Sequence, residues 1–311
     1  MKMVEYFFRL FPKEVIEFVI QAAESALGRK LPYSERNKRF WSRMAKPHIL
    51  EKIVPPASPS EDDIAIFRKY IKNVKPGGSL LLLGSTPKIR ELLQSCGKEY
   101  TIADFSYHMI SGNLKISKNV DPAREIWMKI NWHDLPSKIR PVDFAIGDLI
   151  LNQIPPAGQT EFLKKMNLLL KPGGILAIRE HFVNQDLASR TSEKIIQDTL
   201  QKLSKENATT LITLLSYRLR DRFRNETKTA DPLMLAEALM NYAPKNELER
   251  ERLRRLLKEI MKKSRDNLHY NAQKKEEIES NISAYFKIDE ICYPSDHEDA
   301  EYFPVYILRK R

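Results

Sequence analysis

The sequence predicts an α/β protein built on a doubly wound, mostly parallel Rossmann-like sheet with a closing antiparallel hairpin, preceded by N-terminal helices and interrupted by a helical insertion before the last two strands. Three observations carry this prediction. Short apolar runs at 80–83, 100–103, 142–146 and 175–178 are separated by amphipathic stretches such as 88–93 and 161–170, the pattern of strands buried on both faces by helices. That rhythm stops from about residue 184 to 281, where leucine-rich, highly charged segments follow a helical period. It returns at 282–288 and 302–308, two β-rich segments flanking an acidic, proline-containing loop.

Taken in order, residues 1–60 form an N-terminal helical cap and linker. Val4, Phe7, Phe8, Phe11, Val15, Phe18 and Val19 repeat every three or four positions, and the linker is the VPPASPS segment at 54–60. Ser60 followed by Asp62 and Asp63 reads as a helix start, with Ile64, Ile66, Phe67, Tyr70 and Ile71 behind it. Residues 61–182 form the cofactor-binding core. Lys-Pro-Gly-Gly occurs at 75–78 and again at 171–174, each time between a helix and an apolar strand. Proline stops the helix and glycine turns the chain, so both repeats are structural. Residues 183–281 form the insertion, with apolar stripes at Leu211, Leu214, Leu215 and Leu219 and at Leu253, Leu256, Leu257, Ile260 and Met261. Residues 282–311 complete the sheet.

Composition narrows the function classes. The chain has 311 residues, 42% hydrophobic and 30% charged, enough for a substantial core. Its two cysteines, Cys96 and Cys292, have no second cysteine at metal-ligand spacing, which excludes a disulfide scaffold or zinc ribbon and points to a cytoplasmic protein with no structural metal. Charges interrupt every apolar stretch before 18 residues, so a membrane span is not expected. The net charge of +11 is diffuse: 11 basic against 6 acidic residues in 1–60, 17 against 13 in 61–182, 20 against 16 in 183–282, and 4 against 6 beyond.

In an open α/β sheet the ligand lies beyond the carboxyl ends of the strands, so the residues following each strand are the candidate site. After the first come Gly84, Ser85, Thr86 and Pro87, with Thr86 at an N-cap position and Pro87 opening a helix. No Gly-rich dinucleotide fingerprint or phosphate loop is present. After the second comes Asp104, about 20 residues on, placed as carboxylates that accept ribose hydroxyls are placed; Phe105, Tyr107, His108 and Met109 follow. After the third come Asn131 and Trp132, an amide and a ring suited to adenine. After the fourth come Gly147 and Asp148, then Asn152. After the fifth come Glu180 and His181, the candidate general-base pair; the other reading of His181 is a hydrogen-bonding group at the strand end.

These residues, with the Leu82-Leu83-Gly84-Ser85-Thr86-Pro87 loop, the 146–155 segment Ile-Gly-Asp-Leu-Ile-Leu-Asn-Gln-Ile-Pro and the second Lys-Pro-Gly-Gly, resemble class I S-adenosylmethionine-dependent methyltransferases, especially a divergent bacterial branch with an LLGxTP first loop. The resemblance covers roughly 35–182 and the last thirty residues. It implies S-adenosylmethionine as cofactor, with the 84–87 loop against its methionine part, Asp104 on the ribose, Asn131 and Trp132 at the adenine, and Gly147 and Asp148 near the ammonium and sulfonium. Met109 would pack beneath the adenine, and Trp41, between Arg39 and Arg43, would close over the cofactor or anchor its helix. One glycine stands where many relatives have three. The expected reaction is methyl transfer to a small-molecule acceptor beneath a helical lid. Two alternatives remain at this point: an RNA or protein methyltransferase using basic insertion helices (Arg218, Arg220, Arg222 and Arg224, and the cations of 250–265), and a non-catalytic binder of the cofactor. The acceptor and the oligomeric state are not legible.

Overall fold

The computed structural model describes residues 41–42, 44–202, 208–227, 232–264 and 271–311. The expected helix at Val4–Val19 lies outside them, as do Arg39, Phe40 and Arg43 and the side chains of Arg224, Ile260 and Met261.

A short helix α1 (Pro47–Leu50) precedes the linker, and α2 (Glu61–Ile71) follows it. Ser60 caps α2 through a capping box: its Oγ accepts from the Asp63 N–H at 3.1 Å, and the Asp63 carboxylate accepts from the Ser60 N–H at 2.8 Å. The core then alternates β1 (Leu80–Leu83), α3 (Pro87–Ser95), β2 (Tyr100–Asp104), α4 (Tyr107–Ile116), β3 (Glu125–Lys129), β4 (Val142–Asp148), α5 (Pro156–Leu169) and β5 (Leu170–Arg179). After the insertion come α11 (Lys275–Ser283), β6 (Phe286–Cys292) and β7 (Val305–Lys310).

The sheet order is β3-β2-β1-β4-β5-β7-β6. β1 to β5 pair in parallel, and β7 runs antiparallel to both β5 and β6. β1 shows why its run is apolar throughout. Leu80 and Leu82 pack with Phe67, Ile71, Ile89 and Leu93 on one face, while Leu81 and Leu83 pack with Phe162, Met166 and Ile178 on the other. The order in which strands are added reverses between the parallel neighbours β1 and β4, so the strand ends there form the crevice where a ligand would bind.

Two boundaries differ from the sequence reading. Residue 282 does not begin a strand: Ile278 and Ile282, one turn apart, bury the inner face of α11, and β6 starts at Phe286. The last strand starts at Val305 rather than 302, because Ala300–Tyr302 forms a 3-10 turn and Pro304, which has no N–H to give a ladder, precedes the strand. The second Lys-Pro-Gly-Gly also lies within β5 rather than outside it, opposite a register shift between Val142 and Phe144.

The insertion comprises α6 (Gln185–Ala188), α7 (Ser192–Lys202), α8 (Ala208–Thr227), α9 (Pro232–Asn241) and α10 (Glu247–Ser264). It has an apolar core of its own, in which Leu211, Leu214, Leu215 and Leu219 meet Ile195, Ile196, Leu235, Leu239, Leu253 and Leu256. Three cations of α10 are paired along its surface: Arg250 and Arg254 with Glu247, and Arg255 with Glu251. Among the described residues no helix is long and apolar enough to cross a membrane.

Candidate functional site

A cavity of about 1130 Å³ opens at the carboxyl ends of β1, β2 and β4, slightly above the roughly 300–1,000 Å³ range of small-molecule sites. Residues 84–87, Asp104, Phe105, Met109, Asn131, Trp132 and Asp148 line it. Residues 57–59 of the linker form part of its wall, as do Trp41 and, from α8, Thr213, Ser216, Tyr217 and Arg220.

At the first strand end the chain turns sharply at Gly84, whose φ of +78° suits glycine. The Gly84 N–H and the Trp132 Nε1–H both donate to the Ala103 carbonyl, at 2.9 and 2.7 Å, so the indole is fixed beside the turn. A side chain at 84 would start 3.8 Å from that ring. Thr86 occupies the N-cap position of α3 but its side chain makes no capping bond, and Pro87 at N1 sets the helix start.

Asp104 is only 5% exposed. Its Oδ1 accepts from the Ser106 N–H at 2.9 Å and its Oδ2 from Ser85 Oγ at 3.1 Å, while Asn113 Nδ2 donates to the same serine at 2.9 Å. Burial pushes its carboxyl up to about 6, against the lowering effect of these two donors. An ionised carboxylate offers about four acceptor sites; two are taken, leaving two for a ligand. Asn131 caps the 3-10 turn Trp132–Ser137 by accepting from the His133 N–H. The adjoining His133 also lines the cavity, and burial together with nearby Lys165 holds its pKa below the usual histidine value.

The residues expected after β4 separate. Asp148 lines the cavity with its side chain 7% exposed. Gly147 does not line it; a Cβ there would lie 2.4 Å from Ile150 Cγ1, so glycine is required for the chain to fold back on itself, not for ligand approach. Asn152 is buried away from the cavity, where its amide donates to the carbonyls of His181 and Asn271 and accepts from the His181 N–H. It fastens the insertion to the core.

The Glu180–His181 pair is likewise displaced from the expected base position. Both are essentially fully buried and neither lines the cavity. Glu180 accepts the Leu151 N–H at 3.0 Å, and burial pushes its carboxyl up to about 8. His181 stacks on Phe303 with centroids 4.4 Å apart, and its Nε2 lies 3.4 Å from Asp221 Oδ1. The cause is the chain after β5, which turns inward beneath the insertion rather than along the cleft.

Glu180 has a testable pH signature. Its folded pKa lies above the ordinary 4.5, so between about 4.5 and 8 the folded chain keeps a proton that the unfolded chain has lost. Its contribution to stability is full at low pH and is lost as pH rises through that window. Glu180→Gln is therefore expected to melt higher than the wild-type protein at pH 8, with the difference shrinking toward pH 5. A melting temperature at pH 8 no higher than that of the wild type would refute the account.

Tyr107 is half exposed and, like His108, does not line the cavity. Of the arginine series, Arg218 points inward to Asp299 at 2.7 Å and Glu298 at 2.9 Å, while Arg220 lies over the Tyr217 ring and reaches the cavity wall. The helix therefore scatters these cations, with two of the four turned to different internal tasks. The sequence reading named Ser85 but missed Asn113, which donates to it, and it missed the cavity face of α8. The signal for that face was available: positions 213, 216, 217 and 220 follow i, i+3, i+4, i+7 in polar residues between the leucines.

The sheet is a Rossmann-like α/β sheet, mostly parallel with an antiparallel closing pair. A solved structure from Rhodobacter sphaeroides, described provisionally as a Zn-dependent alcohol dehydrogenase, aligns with 89% of this chain and 98% of its own at 14% identity, with a TM-score of 0.56. A SAM-dependent methyltransferase from Methanosarcina mazei aligns over 78% and 96% at 14% identity, TM-score 0.45. The N-methyltransferase NodS from Bradyrhizobium japonicum, in complex with S-adenosylhomocysteine, aligns over 84% and 96% at 11% identity, TM-score 0.42. At such identities the likeness is one of fold. No family model matches the chain, and neither does any curated protein. Among the described residues no group of three His, Cys, Asp or Glu side chains is placed to hold a metal ion.

Proposed function

We propose that the chain is an S-adenosylmethionine-dependent methyltransferase acting on a small-molecule acceptor held beneath α8. The observation that carries the reading is that Asp104 and Asp148, carboxylates from two strand ends on either side of the Gly84 turn, face one cavity that also exposes Asn131 and Trp132. The residues fit the cofactor: Asp104 has two acceptor sites left for ribose hydroxyls, Asp148 offers a carboxylate oxygen for an ammonium, and the Trp132 ring beside Gly84 offers an apolar face for adenine. When bound, S-adenosylmethionine supplies a methyl group already activated on a sulfonium.

The protein's own contribution is positional. Residues 84–87, Asp104 and Asp148 hold one partner, and Thr213, Ser216, Tyr217 and Arg220 present hydroxyls and one guanidinium to the other side of the space. Fixing two reactants in line contributes about 7–11 kcal/mol at best without an acid or base. No base is assigned, since Glu180 and His181 are sealed from the cavity. Trp41 and the linker segment 57–59 help exclude water.

Calorimetry with S-adenosylmethionine and S-adenosylhomocysteine tests the reading, with micromolar binding of both as the expected result. Absence of heat for either at high micromolar concentration sinks it. The RNA alternative loses support from the inward Arg218 and from the pairing of Arg250, Arg254 and Arg255 on α10. If it held, affinity for a short RNA would fall steeply between 50 and 200 mM salt; no binding at the lower salt is expected.

A further inference from the structure

Arg179, the last residue of β5, is completely buried. Its Nε donates to Asp148 Oδ1 at 2.7 Å, and its Nη1 donates to the Pro56 carbonyl at 3.0 Å, with Asp63 Oδ2 3.7 Å away. The Phe303 ring lies 5.7 Å from the guanidinium carbon. One side chain thus joins the end of β4, the linker that walls the cavity, and the N-terminus of α2. A buried guanidinium costs several kcal/mol unless it is paired, so this placement demands an account.

Charge and unused valence supply one. Asp63 Oδ2 is committed to the Ser60 capping box. Asp148 Oδ1 is committed to Arg179, while Asp148 Oδ2 has no protein partner among the described residues and belongs to a side chain on the cavity wall. Two carboxylates share one guanidinium at the end of the cavity. Burial pushes the Asp148 carboxyl up and Arg179 acts against that push, so a further cation beside it would favour the charged form.

We infer that Arg179 is a positioning residue that holds Asp148 with its free oxygen toward the cavity, so that a ligand's ammonium group completes the charge balance. This rests on the cofactor reading above, and the two can be told apart. S-adenosylhomocysteine carries the amino-acid end; 5′-methylthioadenosine has the same nucleoside without it. The wild-type protein is expected to bind the first at least 30-fold more tightly. In Arg179→Gln the buried Asp148 loses the cation that opposes the upward push of burial on its carboxyl, so this ratio is expected to collapse at least tenfold while methylthioadenosine affinity stays within threefold. Arg179→Lys, which keeps a charge but cannot span Asp148 and Pro56 together, is expected to fall between.

Titration of both ligands into wild-type and variant proteins, each checked by thermal melting, decides the matter. An unchanged ratio in Arg179→Gln overturns the inference, as does an equal loss of both ligands, which marks general damage. If Arg179→Gln does not fold, the ratio is read from Arg179→Lys: a drop of threefold or more supports the inference and no drop overturns it. Equal wild-type affinity for the two ligands overturns this inference alone, whereas binding of neither overturns the cofactor reading with it.

Discussion

Asp104→Asn should weaken S-adenosylhomocysteine and 5′-methylthioadenosine alike, by about 100-fold or more, as measured by calorimetry. The substitution keeps the shape and the partners Ser85 and Ser106 within reach, so what it removes is the charge. Hydrogen bonds to a charged group contribute about 1.5–3 kcal/mol each, and two ribose hydroxyls on one carboxylate give at least the two decades expected, at about 1.4 kcal/mol per decade. The wild-type protein should add a pH dependence. With its pKa at about 6, Asp104 is ionised at pH 7 and protonated at pH 5, so affinity for methylthioadenosine should decline as pH falls through 6. That decline should be absent in Asp104→Asn. Methylthioadenosine is the suitable probe because it lacks the group that would report on Asp148. An unchanged affinity in the variant would mean that Asp104 does not hold the ribose.

The largest effect on stability is expected from Glu125→Ala, a loss of about 3–5 kcal/mol. Arg90 of α3 is fully buried; its Nε and Nη2 donate to Glu125 at 2.9 and 2.5 Å, and its Nη1 donates to the Ile110 carbonyl at 2.7 Å. Glu125 also accepts from the Tyr100 hydroxyl and from Trp127 Nε1. Removing it leaves a buried cation without its counter-ion and two donors without an acceptor. Burial acts to raise the Glu125 pKa, but the bonds from Arg90, Tyr100 and Trp127 outweigh it and hold the carboxyl below its ordinary 4.5. The pair's contribution is therefore present above that value and lost as pH falls through the folded pKa. Urea unfolding at pH 7 and pH 4 measures both effects; a loss below 1 kcal/mol at pH 7 would refute the account.

The legibility of the sequence followed the range of the interactions involved. β1 and β4 were readable because a strand covered on both faces must be apolar at every position, and α2 because its cap is written in Ser60 and Asp63, three residues apart. Asp104 and Asp148 were readable because topology alone carries strand ends to one edge. The direction taken after β5 was not readable. Whether Glu180 and His181 face the cleft depends on Asn152, Asp221 and Phe303, which stand 28, 40 and 122 positions away from His181 or Glu180 and have no local signature. Ile282 misled for the opposite reason: a β-branched residue at the end of a helix looks the same as one at the start of a strand until its i−4 partner Ile278 is counted.

The two-sided character of α8 limits how this helix can change. One side holds the insertion together through Leu211, Leu214, Leu215 and Leu219, and the other lines the cavity. On the function proposed above, drift or engineering of α8 toward a new acceptor would fall on positions 213, 216, 217 and 220, where a substitution leaves the leucine face alone. Tyr217 is the least free of the four, because its ring also packs edge-on against His181 and Phe303. A library restricted to 213, 216 and 220 would sample acceptor range with the fewest lost variants, and Tyr217 would be the position where a change of specificity carries a penalty in folding.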